Sequence, residues 1–165
     1  MKVIIVLQIV KKIIGQNDNK RISIKFYNNI FFFTIMNEFT ENDDITSVLL
    51  DNMNKNVLSL LYFTASWCGP CQQIKPFLKE LSESLKKSGE YNIEFYMIDI
   101  DSNEEFCDKC NIRSVPTFFI MNGKDLLGSL TGADKTKLSE MIVNVFNEYN
   151  RKLKITEMKN KDIKE

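Results

Sequence analysis

No histidine occurs among the 165 residues. That absence removes Ser-His and Cys-His nucleophilic catalysis, and every imidazole metal ligand, in one step. Neither sign of charge is in excess: 22 Lys plus Arg balance 22 Asp plus Glu, so the formal net charge is zero. Nucleic-acid binders ordinarily carry a basic surplus, which this chain lacks. Its longest apolar runs fall well short of the ~18 residues that a membrane-spanning helix requires. Four cysteines are too few, in a chain of this length, for a secreted scaffold held together by disulfides. Arg, Ala and Gly are scarce, while Lys, Ile and Asn abound. The abundant three can all be written in A/T-only codons, so clusters of Lys and Asn are read as solvated surface.

What is present suffices for one packed domain with tails. Hydrophobic residues make up 44% of the chain, and one domain is expected per ~150 residues. Residues 1–36 form an N-terminal extension of different character. Within residues 1–35, Lys2, Lys11, Lys12, Lys20, Arg21 and Lys25 face a single acid, Asp18, for a net charge of +5, leaving −5 on the remainder. Three explanations compete: translation starting at Met36, a targeting segment, or a native extension or anchor. The basic start and apolar Val3–Val10 fit a secretory signal, but no A-x-A-like cleavage site follows. An organellar presequence would be basic and acid-poor, as here, but usually also rich in Arg and Ser. The domain proper is assigned to residues 37–150, and residues 151–165 to a charged tail, either a frayed helix extension or a disordered segment.

Within the domain, periodicity marks the elements. Met36–Phe39 reads as a short strand, which residues 31–35 could extend backward. Asn42–Asn52 reads as a helix with Asp43 or Asp44 at its start. Val57–Thr64 is almost continuously apolar, the pattern of a strand buried on both faces. Gly69–Lys87 is an amphipathic helix whose inward stripe is Ile74, Phe77, Leu78, Leu81 and Leu85, with Pro76 as a kink and Ser88-Gly89 as its stop. Ile93–Ile100 is a second central strand. Asn103–Lys109 is a short helix with Asp101 or Ser102 near its start. Thr117–Met121 and Leu126–Leu130 flank Asn122-Gly123, a hairpin signal. A last helix, Asp134–Tyr149, turns Leu138, Met141, Ile142, Val145 and Phe146 inward. The order β-α-β-α-β-α-β-β-α predicts an α/β fold, a central mixed β-sheet with helices on both faces.

The chemistry concentrates in Trp67-Cys68-Gly69-Pro70-Cys71, where a strand meets a helix. Cysteines at i and i+3 share one helical turn and can bond. Cys68 lies at the helix N-terminus, where unpaired N–H groups and the helix dipole stabilise a thiolate, the nucleophile of disulfide exchange. Cys71, one turn further in, keeps its proton longer. Cys68 therefore attacks a substrate disulfide and Cys71 resolves the mixed disulfide. Gly69 lets a partner backbone approach, Pro70 suits the first helical turn, and Trp67 supplies a flat apolar cover.

This motif resembles that of the thioredoxin family, and the resemblance spans about residues 38–149. It extends to Val115-Pro116-Thr117, about 45 residues after Cys71, which matches the family's cis-proline loop. It extends also to Pro76, to the Asn122-Gly123 hairpin and to Gly132. The resemblance implies a thioredoxin fold and a substrate groove lined by Trp67, Ile100, Val115, Pro116, Thr131, Gly132 and Ala133. It implies a protein disulfide reductase with no bound cofactor, recharged through NADPH by thioredoxin reductase, with peroxiredoxin or ribonucleotide reductase as clients. A monomer in the cytoplasm is expected, or a secretory or organellar protein if residues 1–35 are a targeting segment. Two rivals are a non-catalytic thioredoxin-fold assembly subunit and a secretory-pathway oxidase or isomerase.

The chain departs from the family at two positions. Most thioredoxins carry a buried Asp six residues before the first cysteine, paired with a Lys. Here those positions hold Tyr62 and Met97, so both charges are gone together, as the cost of an unpaired buried charge demands. The segment Leu61–Cys68 is similar to tryparedoxin and nucleoredoxin sequences. Proton transfer at the resolving thiol then relies on water or on the Tyr62 hydroxyl. A second C-x-x-C, Cys107-Asp108-Lys109-Cys110, admits three explanations: core packing with an idle surface thiol, a regulatory disulfide, or zinc shared with Cys68 and Cys71. The 35 residues between Cys71 and Cys107 exceed the usual zinc-ribbon spacing of about 15–20. Asp99 and Asp101 are assigned to capping and solvation.

Overall fold

The structure, a computed structural model, describes residues 36–40 and 43–162. The expected backward extension of the first strand, and all three explanations of the N-terminal extension, lie outside the described residues. The nine elements are β1 (Asn37–Phe39), α1 (Ile45–Asn54), β2 (Leu58–Thr64), α2 (Gly69–Ser88), β3 (Ile93–Asp99), α3 (Glu104–Lys109), β4 (Thr117–Asn122), β5 (Asp125–Thr131) and α4 (Lys135–Asp162). Their order is the one predicted.

The strands form one mixed sheet in the order β1-β3-β2-β4-β5. β3 runs parallel to β1 and β2, whereas β4 runs antiparallel to β2 and β5. All seven residues of β2 are buried, because β2 has a strand on each side and helices over both faces. Strand periodicity divides its side chains between two cores. Leu58, Leu60 and Tyr62 join Phe95 and Phe118 under α2 and α4, packed on Leu78, Leu81, Leu138 and Ile142. Leu61 and Phe63 join Tyr96 and Ile98 under α1 and α3, with Ile45, Leu49 and Cys107.

Helix ends show why several boundaries shift. α1 begins at Ile45 rather than Asn42, because Asp44 is the N-cap and its carboxylate accepts the Ser47 N–H at 3.1 Å. Asp43 is engaged outside the helix, accepting from the N–H and hydroxyl of Thr40. α2 has the expected buried stripe and ends at Gly89, which is left-handed with φ 63°. Pro76 lies inside α2 and deprives the Gln72 carbonyl of its backbone donor. α3 starts after Asn103, not after Asp101 or Ser102. The Asn103 amide donates instead to the carbonyls of Phe39 and Asp99, at 3.3 and 2.9 Å, tying β1 to β3.

The hairpin turn falls one residue later than the Asn-Gly signal implies. Asn122 pairs with Asp125, leaving Gly123 and Lys124 as the two turn residues. Gly123 has φ 59°, as a turn with glycine at its first central position requires. α4 continues to Asp162, so the tail begins as helix extension. Leu138, Ile142 and Phe146 are buried as predicted, Met141 and Val145 are half-buried, and Val143 is an additional buried residue.

One buried polar contact has no counterpart in the hydrophobic pattern. Asn52 on α1 is buried, and its amide donates to the hydroxyls of Ser59 and Tyr96, both at 2.8 Å. It joins α1 to β2 and β3 across the second core.

Candidate active site

β2 ends at Thr64, and a turn at residues 65–67 delivers Cys68 to the N-cap of α2 with extended backbone, φ −83° and ψ 102°. Pro70 occupies the first helical turn, where a missing N–H costs nothing. Cys68 and Cys71 are joined in a disulfide, with Cα atoms 5.2 Å apart. The Cys71 N–H donates to the Cys68 sulfur at 3.2 Å. Cys71 is completely buried, whereas Cys68 keeps a sliver of exposure beside exposed Trp67, Gly69 and Pro70. A side chain at Gly69 would meet nothing within 4 Å, so that face is open to an incoming chain.

The residues expected to line the groove fall into two linked sets. Trp67, Ile100 and Val115 line a groove of about 320 Å³ together with Asp101, Ile112 and Arg113. The Val115-Pro116 peptide is cis, and the Val115 carbonyl oxygen lies 3.6 Å from the Cys68 sulfur. From there, hydrogen bonds reach the second set. The Gly132 N–H donates to the Pro116 carbonyl at 2.8 Å, and the Thr117 and Thr131 hydroxyls are 3.2 Å apart. Gly132 has φ 100°, which side-chain-bearing residues rarely adopt. Pro116 is buried, while Ala133 is half-buried against the core cluster that contains both active-site cysteines.

Asp101, expected as a cap, instead holds the tryptophan. Its carboxylate accepts the Trp67 indole N–H at 2.9 Å, although 67% of Trp67 is exposed. Asp99 in turn accepts the Asp101 N–H at 2.9 Å. This tether spans 34 residues of sequence, and no local spacing announces it.

Tyr62 is fully buried and stacks on Phe118, with ring centroids 5.1 Å apart. Its strand neighbour is Met97, so the two positions that depart from the family pattern are paired in the sheet. The Tyr62 hydroxyl donates to the Cys71 backbone carbonyl at 2.9 Å rather than to a sulfur. Burial pushes its phenol above the ordinary value.

Cys107 and Cys110 are free thiols. Cys107 belongs to the second core and also reaches the groove floor; Cys110 packs half-buried against the same core. Burial pushes the Cys107 thiol up to about 11, and burial raises Cys110 as well. Among the described residues, no three cysteine, aspartate or glutamate side chains gather in a group able to hold a metal ion. At pH 7 Cys107 is therefore expected to resist iodoacetamide until the fold opens, as peptide mapping after timed labelling would reveal. Labelling as fast as that of an unfolded cysteine would refute that assignment.

Residues 39–144 match the family model for thioredoxin. The chain is 36% identical over 89 residues to thioredoxin from Callithrix jacchus, covering 54% of this chain and 79% of that protein. Thioredoxin from Schistosoma mansoni superposes with a TM-score of 0.57 at 36% identity, covering 66% of this chain and 94% of that one. A poplar thioredoxin h superposes with a TM-score of 0.61 at 30% identity, covering 67% and 96% of the two chains. A disulfide at the start of a helix, a cis-proline loop against it and these likenesses converge: the chain belongs to the thioredoxin family and is a protein dithiol–disulfide oxidoreductase.

Proposed function

We propose that Cys68 is the nucleophile and Cys71 the resolving thiol in the reduction of client protein disulfides. The observation that carries the assignment is the Cys71 N–H aimed at the Cys68 sulfur, at a helix N-terminus. In the reduced protein that donor and the helix dipole favour a Cys68 thiolate. The thiolate attacks a client disulfide, forming a Cys68–client mixed disulfide and expelling one client thiolate, which takes a proton from water. The Cys71 thiol gives up its proton and attacks the Cys68 sulfur, expelling the second client thiol and closing Cys68–Cys71. Two electrons pass to the client in each cycle.

Trp67, Ile100, Val115, Pro116, Thr131, Gly132 and Ala133 form the client groove in this proposal, with residues 37–150 as the functional domain. The two sulfurs carry the electrons, so no bound cofactor is required. An NADPH-dependent thioredoxin reductase restores the dithiol, and peroxiredoxin or ribonucleotide reductase are client classes. The protein acts as a cytoplasmic monomer. No helix among the described residues is long and apolar enough to cross a membrane.

The test is a redox-buffer titration followed by the fluorescence of Trp67, the single tryptophan. A reversible two-electron transition near about −270 mV is expected for a reductant. A midpoint near about −180 mV would instead indicate an oxidase or isomerase. A transition that survives Cys68→Ser would overturn the assignment of the cysteine pair.

A further inference from the structure

We propose that Tyr62 is a positioning residue: its hydroxyl fixes the Cys71 peptide so that the Cys71 N–H stays aimed at the Cys68 sulfur. This rests on the assignment of Cys68 as nucleophile.

A fully buried tyrosine hydroxyl must find a partner, because an unpaired one would forfeit its hydration. Tyr62 finds the Cys71 carbonyl at 2.9 Å. That carbonyl has two lone pairs, so it serves the helical ladder and the hydroxyl together. The peptide it heads carries the Gln72 N–H, which donates to the Cys68 carbonyl at 3.2 Å. A continuous chain therefore runs from Tyr62 through Cys71 and Gln72 to the Cys68 backbone, and hydrogen bonds in such a chain strengthen one another. On its other side Cys71 presents its N–H to the Cys68 sulfur at 3.2 Å. The residue that points at the sulfur is thus held at its carbonyl by Tyr62 and, through Gln72, to Cys68 itself.

The groups around the Tyr62 hydroxyl are uncharged, and the Thr64 side chain also lies within its hydrogen-bonding reach. Phe118 on β4 stacks on its ring and Met97 on β3 is its strand neighbour. With Cys71 on α2, these groups bring no charge to the hydroxyl. The hydroxyl proton faces a carbonyl, so the geometry favours holding over proton relay. Proton release from Cys71 then proceeds to water.

Tyr62→Phe keeps the ring and its stacking and removes only the hydroxyl. The readout is the pH dependence of Cys68 alkylation by iodoacetamide in the reduced protein. Loss of a hydrogen bond of ordinary net strength, passed on in part, is expected to lower the thiolate fraction below the Cys68 pKa by about threefold. The titration curve shifts upward in pH accordingly. Single-turnover resolution of a client mixed disulfide is expected to keep its solvent isotope effect. An unchanged Cys68 titration with a slowed resolving step would overturn positioning in favour of proton relay, and no change in either would also overturn it. Uniform 3-fluorotyrosine labelling, which strengthens the hydroxyl as donor, provides a second measurement in a protein with its native sequence. The Cys68 curve is expected to move down in pH, and a curve that stays put refutes the proposal. Fast alkylation that persists in Cys68→Ser would show that the role assignment itself is wrong.

Discussion

Replacing Cys68 with serine is expected to reduce the turnover of a disulfide-bonded client to the uncatalysed background. The first bond made in the cycle is to this sulfur, and a serine hydroxyl in its place is essentially un-ionised at neutral pH and does not exchange with disulfides. Cys71→Ser is expected to fail differently. Its Cys68 can still attack, but nothing displaces the client, so a stoichiometric mixed disulfide accumulates and multiple turnover is lost. Intact-mass measurement of the variant mixed with an oxidised client distinguishes the cases: one adduct per chain for Cys71→Ser and none for Cys68→Ser. An adduct on Cys68→Ser, or turnover above background by it, would refute the order of attack. Cys107 does not substitute for Cys68, because burial in the second core holds its thiol far from ionisation at neutral pH.

The largest expected loss of stability follows from Tyr62→Asp. The site is inaccessible to solvent and its strand neighbour is Met97, so an introduced carboxylate has no cation beside it. An uncompensated buried charge costs about 3–5 kcal/mol, against a total folding stability of about 5–15 kcal/mol for a typical domain. The pH dependence has a definite sign. Burial raises the introduced carboxyl's pKa in the folded state above its unfolded value of about 3.9. Below that value both states hold the proton and the electrostatic cost is absent. As pH rises through it, the unfolded state ionises first and stability falls, until the folded-state pKa is passed. Urea midpoints at pH 4 and pH 7 should therefore differ markedly, with pH 7 the weaker. Adding Met97→Lys places an ammonium on the paired strand position, and the double variant is expected to recover part of the loss at pH 7. Equal midpoints for Tyr62→Asp at both pH values would show that water reaches the site.

Much of this arrangement was legible in the residues, for identifiable reasons. β2 announces itself because Leu58–Thr64, apart from Ser59 and Thr64, is apolar without alternation, as a strand covered on both faces is. α2 is legible because its buried positions recur at helical spacing and because Gly89 ends it. The disulfide pair needs only i, i+3 spacing at a strand–helix junction. What escaped the sequence is held by contacts between distant residues. The Trp67–Asp101 bond and the contacts of Asn103 with Phe39 and of Asn52 with Tyr96 join residues 34, 64 and 44 apart. Such partners obey no local period. α3 begins one residue later than expected because Asn103 sits at its N-cap with non-helical backbone, while its amide ties β1 to β3. Tyr62 marks the subtlest case. Its place beside the resolving cysteine followed from the motif offset, but the partner of its hydroxyl, the Cys71 carbonyl, is set by the packing of β2 beneath α2.

The last helix has a geometric consequence of its own. α4 runs to Asp162, yet among the described residues its last core packing is by half-buried Tyr149. At 1.5 Å per residue the thirteen further residues extend roughly 20 Å past that anchor. Arg151 and Lys152 both pair with Glu148 at the base of the projection. The helix is thus a rod rather than a string. A fluorophore or fused domain joined near its end would be carried at a near-constant distance from the catalytic sulfurs, as distance measurements by energy transfer would record.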